Sequence, residues 1–265
     1  MKKTVIAVLA MLMVLILAAC AAAPAEPAVQ EPTVVVFNDS ILEAKVREAM
    51  GIPEGDITID AAETVTSLEL GIDWQQNPVA GTQIEDISAL KYFTNLESLG
   101  IQFHAVKDVS PLAGLTKLKS LGLGGNPVQD VSPLAGLTEL DFLTLFNSQA
   151  ADYSALANMT KLRILYAGYS TVNDASVFSG LTNLDTLTLN STLISDVSPL
   201  ASLTNLRVLQ LADNNIADFT PLKGIYPQLE EKDFMLVSSL DALGFVEVDD
   251  FYGYKSETDA VSISH

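Results

Sequence analysis

Asp108, Asp130, Asp152, Asp174, Asp196 and Asp218 stand 22 residues apart along the chain. Carboxylates in register could do one of two things: ligate a hard cation such as calcium, which takes oxygen donors, or bend the backbone through Asx-turns. Two residues beyond each aspartate stands a hydroxyl: Ser110, Ser132, Ser154, Ser176, Ser198 and Thr220. Proline follows in four copies, at Pro111, Pro133, Pro199 and Pro221. A hydroxyl before proline is a helix-start signal, its oxygen accepting an orphan N–H and the proline being tolerated in the first turn. A turn role therefore explains every aspartate, and no metal site is expected there. No nucleophile elbow, phosphate loop or zinc spacing occurs elsewhere. No catalytic residue or cofactor is expected, and the chain reads as a non-enzyme.

A second series has the same spacing. Glu97, Lys119, Asp141, Arg163, Asp185 and Arg207 alternate strictly in sign. On neighbouring strands about 4.8 Å apart such side chains form a cross-strand ladder of opposite charges. Its expected role is structural, specifying register and keeping the sheet solvated.

Both series belong to one unit written six times. From Thr94 the sequence repeats every 22 residues without insertion, the copies starting at Thr94, Thr116, Thr138, Thr160, Thr182 and Thr204 and ending at Ile225. A strict period in this range is the signature of a solenoid. Counting the threonine as position one, leucine always fills positions three and six. Position eight is Ile101, Leu123, Leu145, Ala167, Leu189 and Leu211. The alternation at six and eight predicts a short strand with one buried face. About five residues separate the hydroxyl at position seventeen from the next unit, enough for a single helical turn. Val65, Leu68 and Leu70 align with the first repeat at an offset of 31 residues, which places an insertion between Gly71 and Gln83. Trp74, the only tryptophan, lies in it and is expected to pack over the cap edge.

The pattern is best kept in residues 115–136, LTKLKSLGLGGNPVQDVSPLAG, and it resembles the leucine-rich repeats of the internalin type over residues 65–225. The resemblance implies an α/β leucine-rich-repeat solenoid: a curved right-handed superhelix with a parallel sheet on the concave face and short 3-10 or α turns on the convex face. It also implies an asparagine ladder at position eleven, where this chain has His104, Asn126, Ser148, Ser170, Thr192 and Asn214. His104 is thus expected to make a structural hydrogen bond. The other histidine, His265, is the last residue.

A repeat cannot cover its own apolar face, so the ends need caps. Residues 34–64 are expected to form a helical N-terminal cap. There Ser40 and Glu43 stand as a capping box, Leu42, Val46, Ala49 and Met50 share one face, and Gly51 and Pro53 supply the stop. The cap resembles those that precede such repeats in bacterial surface proteins. Residues 226–265 lose the period and are expected to close the other end.

The chain has 265 residues, with 14 Lys and Arg against 33 Asp and Glu, for a net charge of −19. An apolar share of 49% argues against disorder. A nucleic-acid partner is excluded by the scarcity of bases to meet phosphates. Part of the apolar share is concentrated at the start: Lys2 and Lys3 precede an unbroken apolar run from Val5 to Ala19. That run is short for a spanning helix and suits a signal peptide over residues 1–19. Leu17-Ala18-Ala19-Cys20 resembles a bacterial lipobox. The resemblance implies cleavage before Cys20, the only cysteine, and acylation of its thiol, which anchors the chain to a membrane with two acyl chains. Residues 20–33, rich in alanine and proline, read as a tether. The expected location is the bacterial cell surface, outside the cytoplasm.

Function is expected on the outward positions five, seven, nine and ten. Coil three carries Phe142, Thr144, Phe146 and Asn147 there, coil four Ile164, Tyr166, Gly168 and Tyr169, and coil one Gln102 and Phe103. Coil two has only Ser120, Gly122, Gly124 and Gly125, which predicts a glycine-floored notch flanked by aromatics. Exposed aromatics of this kind mark interface centres. The ligand-binding residues expected are therefore Gln102, Phe103, Phe142, Phe146, Asn147, Tyr166 and Tyr169, and the partner is a protein, with adhesion implied by the internalin resemblance. A glycan partner and a purely structural envelope role are the alternatives.

Overall fold

In the computed structural model the described residues are 33–73 and 81–236. Cys20 and the signal segment, Trp74, and the chain beyond residue 236 lie outside them. Eight parallel strands follow one another in chain order in a single open sheet: β1 (Ser67–Glu69), β2 (Ser98–Gly100), β3 (Ser120–Gly122), β4 (Phe142–Thr144), β5 (Ile164–Tyr166), β6 (Thr186–Thr188), β7 (Val208–Gln210) and β8 (Glu231–Lys232). Seven short 3-10 turns, from Ser88–Tyr92 to Thr220–Gly224, alternate with the strands, and an eighth, Tyr226–Gln228, precedes β8. This is a leucine-rich-repeat solenoid. Each strand spans positions five to seven of its unit, and the register is fixed: Leu68, Leu99, Leu121, Leu143, Leu165, Leu187 and Leu209 pair in sequence across the sheet. Ser67 stands against Ser98, so the irregular first coil joins at the expected offset.

The repeated leucines form the core. Those at positions three and six are at most 1% exposed, as is position eight in every coil. Each contributes about 1.5–3 kcal/mol, and every coil supplies several.

The turns differ from expectation in one atom-level respect. Every repeat aspartate accepts the backbone N–H of position seventeen at 2.7–2.8 Å. Asp86 does the same for Ser88 at 2.6 Å, a seventh copy within the irregular coil. The hydroxyls cap no helix N–H. In five copies the hydroxyl instead donates to the second carboxylate oxygen at 2.8–3.0 Å. The carboxylate, which can accept along several lone pairs, is the better acceptor, and it takes the role expected of the hydroxyl. The backbone N–H and hydroxyl of position seventeen hold the carboxyls of Asp130, Asp174 and Asp196 below their ordinary pKa.

The N-terminal cap is α1 (Ser40–Met50) followed by α2 (Ile59–Glu63). The helix α1 starts one residue earlier than the capping box implies. Asp39 is its N-cap, accepting from the N–H groups of Ile41 and Leu42 at 2.9 and 3.0 Å. Glu43 pairs with Arg47 one turn on, at 2.8 Å, rather than reaching back. The second oxygen of Asp39 accepts from the backbone N–H groups of Glu85 and Asp86 at 2.8 and 3.2 Å. One carboxylate therefore both starts the cap helix and fastens it to the first coil. Burial works to raise its pKa, but four backbone donors, Glu85 foremost, outweigh that and hold it below the ordinary value.

At the other end the sheet continues past Ile225. β8 pairs with β7, Val208 beside Glu231. Phe234 stacks on Phe219 with centroids 4.9 Å apart and meets Tyr226 edge-on at 5.9 Å.

The ladder at position eleven is uneven. Asn126 donates to Ile101 O and Leu123 O, both at 2.8 Å, and accepts from Val106 N–H at 3.1 Å, joining two coils. His104 reproduces both inter-coil contacts: Nδ1 accepts from Ile84 N–H at 3.0 Å, and Nε2 meets Leu70 O at 2.8 Å. A backbone donor at one nitrogen and a carbonyl at the other require the neutral ring protonated on Nε2. Ser170 reaches only Ala167 O in its own coil. Beside Ser148, a phenol fills the missing volume: the Tyr153 hydroxyl lies 2.5 Å from the Ser148 hydroxyl and 3.3 Å from that of Thr171 in the next coil.

Candidate functional site

The outer face of the sheet is built from positions five, seven and nine, with position ten at its rim. Parallel pairing runs on past the strands: Phe103 N–H donates to Gly124 O, Gly125 N–H to Phe146 O and Tyr169 N–H to Asn190 O. Position ten then turns the chain inward. All six of its residues are left-handed: Phe103, Gly125, Asn147, Tyr169, Ser191 and Asp213, with φ between 54° and 76°. Glycine and asparagine adopt this conformation readily; a bulky aromatic does so at a cost of roughly 1–2 kcal/mol. Phe103 and Tyr169 are thus held in strained backbone. The glycine and asparagine at two of the six positions were the sequence signal for it.

The expected notch over coil two is filled. The Phe146 ring lies over Gly124 and the Phe103 ring over Gly125, each in the space a Cβ would need. The two rings meet at 5.4 Å between centroids, tilted by 55°. Without side chains on the glycines, the flanking aromatics fold down and cover apolar surface that would otherwise face water. Phe142 and Tyr166 form a second pair, edge-to-face at 6.0 Å and 77°. Tyr166 remains 36% exposed, while Tyr169 at 64% and Asn147 stand clear of the sheet.

Gln102 also lies flat. Its amide rests between Gly71 of the first coil and Gly122 of β3. Glu69, at position seven of the irregular coil, lays its carboxylate over Gly100. Glu69 was absent from the expected site because that coil lies outside the strict period; aligning Ser67 with Ser98 would have placed it there. Together Glu69, Gly71, Gln102, Phe103, Thr144 and Phe146 line a groove of about 370 Å³. Thr144 is buried at its floor, accepting from Gly124 N–H at 2.9 Å.

The charged series at position four resolves into separate pairs. Lys119 binds Glu97 at 2.7 Å, Arg163 binds Asp141 at 2.9 Å, and Arg207 bridges Asp185, at 3.4 Å, and Glu230. Among the described residues no ion pair joins Lys119 to Asp141 or Arg163 to Asp185, so the ladder is not continuous. Hydrogen bonding to Lys119, and then its charge, holds the Glu97 carboxyl below its ordinary pKa. A pair not expected from sequence, Lys161–Glu139 at 2.6 Å, spans coils three and four from position two. Among the described residues no group of three or more His, Cys, Asp or Glu side chains is placed to hold a metal ion, and no helix is long and apolar enough to cross a membrane.

Residues 182–224 match the family described as leucine-rich repeats in two copies. No curated protein sequence matches the chain. Among solved structures, an internalin (inlF) of Listeria monocytogenes is similar at 29% identity and a TM-score of 0.63, over 79% of this chain and 66% of that one. The chain thus spans just under two thirds of that internalin's length. A leucine-rich-repeat protein of Leptospira interrogans shares the fold at 16% identity and a TM-score of 0.54, over 67% of this chain and 51% of that one. An internalin C2 (inlC2) of Listeria monocytogenes is similar at 31% identity and a TM-score of 0.59, over 77% of this chain and 98% of that one. With a sheet of eight strands in register, an Asx-turn in every repeat and this identity along nearly the whole of internalin C2, the chain belongs to the internalin-type leucine-rich-repeat proteins.

Proposed function

We propose that the chain is a surface recognition module, anchored by lipid on Cys20, that holds a protein partner against the concave face of its sheet. The observation that carries this reading is the pair of aromatic contacts on that face, Phe103–Phe146 and Phe142–Tyr166, with Tyr166 and Tyr169 still open to solvent. Aromatic rings with a polar tip supply much of the binding energy at interface centres. Two further features support it. Tyr169 is kept in left-handed backbone where asparagine or glycine would be relaxed, a cost that packing does not offset for an exposed side chain. The acidic groups of the repeats lie elsewhere: the position-four acids Glu97, Asp141 and Asp185 are paired, and the turn aspartates are engaged with their own backbone. An uncharged centre with a charged surround is the composition of a protein-binding patch.

The test is cross-linking pull-down from intact cells, comparing the unaltered chain with a Phe142→Ala, Tyr166→Ala double variant. Loss of capture with an unchanged melting temperature supports the assigned face. Equal capture by both refutes it. Saturable binding on a glycan array that is lost in the same variant would make the partner a sugar instead. A Cys20→Ala variant that stays with the membrane after export would remove the lipid anchor.

A further inference from the structure

The groove at the N-terminal end of the sheet has a chemistry of its own. Three long side chains converge on it because three glycines give them room. Glu69 lies over Gly100, Gln102 between Gly71 and Gly122, and Phe146 over Gly124. The lining includes two acids, Glu69 and Asp73, an amide and the rings of Phe103 and Phe146, and no lysine or arginine. The Glu69 carboxylate differs from the acids at position four. Glu97, Asp141 and Asp185 each pair with a base of the next coil, whereas the next coil offers Gly100 beside Glu69. Glu69 makes neither an ion pair nor a hydrogen bond with any described residue. The volume, about 370 Å³, is at the lower end of the range for clefts that take small groups.

Resting on the concave-face reading, we propose that this groove is the subsite for an arginine side chain presented by the protein partner. Its guanidinium forks to the two oxygens of Glu69 and lies against the Phe146 ring. A planar cation suits a carboxylate bidentately and an aromatic face by cation–π attraction, which an ammonium matches less well. Gln102 Oε1 is an acceptor within the same groove for a remaining N–H. The net charge of −19 favours approach of a basic segment from a distance; the groove decides where one of its side chains stops.

The probe is N-acetyl-arginine methylamide, titrated into the full-length chain and followed by the amide resonances of Gly100 and Gly122. The neutral isostere N-acetyl-citrulline methylamide is the comparison. Saturable shifts at those glycines are expected with arginine. Binding should be at least fivefold weaker with citrulline, with the Glu69→Gln chain and with the Phe146→Leu chain, and unchanged with Asp196→Asn. Equal binding of citrulline, no effect of Glu69→Gln, or shifts confined to the aspartate turns would each overturn the assignment. Stronger binding of N-acetyl-lysine methylamide than of the arginine probe would overturn the choice of guanidinium. Pull-down separates this inference from the reading beneath it. Capture lost in the Phe142→Ala, Tyr166→Ala variant but kept in Glu69→Gln removes the arginine from the interface and leaves the face. Capture kept in both removes the face.

Discussion

The ring of Phe146 occupies the space that a Cβ on Gly124 would need. Gly124 has no left-handed backbone that would demand glycine, so its lack of a side chain serves the neighbour rather than its own conformation. Alanine there has to lift the edge of a single ring. Gly124→Ala should therefore cost less than about 1 kcal/mol, at the low end for overpacking, and that cost should vanish in a Phe146→Ala background. A double-mutant cycle by denaturant unfolding reads the coupling directly. Gly125, at φ 76° and under the Phe103 ring, meets strain and contact together, and Gly125→Ala should cost more than Gly124→Ala.

Asp39 joins the cap helix to the repeats through one side chain. Asp39→Ala removes an N-cap, worth about 1 kcal/mol, and also orphans the Glu85 and Asp86 amides. Faster hydrogen exchange should appear at Ile41, Leu42, Glu85 and Asp86 and leave β4–β7 unchanged. Ser40→Ala, altering the residue that the sequence pattern nominates as the cap, should be close to neutral.

Burial lowers the pKa of His104, and the Lys45 charge adds to the effect, against the opposing influence of the Leu70 carbonyl and Asp39. The unfolded chain then binds more protons than the folded one below about pH 6.5. The stability His104 contributes is fully present above that pH and declines as the pH falls through it, because protonating Nδ1 breaks its bond with Ile84 N–H. His104→Asn keeps a donor and an acceptor at the position without the titration. Its melting temperature should exceed that of the unaltered chain by more at pH 5.5 than at pH 7.5. An equal difference at both would remove His104 as the source.

Position eleven permits a graded test of the ladder. Asn126→Ala leaves the Val106 N–H and the Ile101 and Leu123 carbonyls short of partners in a buried setting, and should cost about 3 kcal/mol or more. Ser170→Ala loses one bond within its own coil and should cost about 1 kcal/mol. Denaturant midpoints at equal m-values rank the two.

The strands and the core could be read from the sequence because a period of 22 fixes which leucine faces inward in every copy. The same period located the turn aspartates, since Asx geometry depends only on residues two apart. The cap helix gave its position but not its cap: Asp39 and Ser40 are both good N-caps, and the choice was made by Glu85 and Asp86, far away in sequence. Closure of Phe103 and Phe146 over the glycines was hidden for a related reason. Glycine in a strand announces room, and says nothing of whether a ligand or a neighbour will use it. Position-four charges alternate in the sequence, yet each base meets one acid of the preceding coil, because a side chain satisfied on one side has little to gain by sharing. Glu69 escaped notice because its coil breaks the period that revealed all the others.

Tyr169 gives the sharpest separation of stability from function. Its φ is 55° and its side chain is 64% exposed, so it contributes strain and little burial. The same position in the preceding coil is Asn147, at φ 65°, where the backbone is relaxed. Tyr169→Asn should therefore raise stability by about 1 kcal/mol, the usual penalty for an L-residue in this region, while weakening capture of the partner. A residue kept only for the fold would show the reverse, with stability falling when the ring is removed. Thermal unfolding and pull-down on the same protein preparation decide it. If Tyr169→Asn raises the melting temperature and leaves capture intact, Tyr169 lies outside the interface and the binding face narrows to the two aromatic pairs.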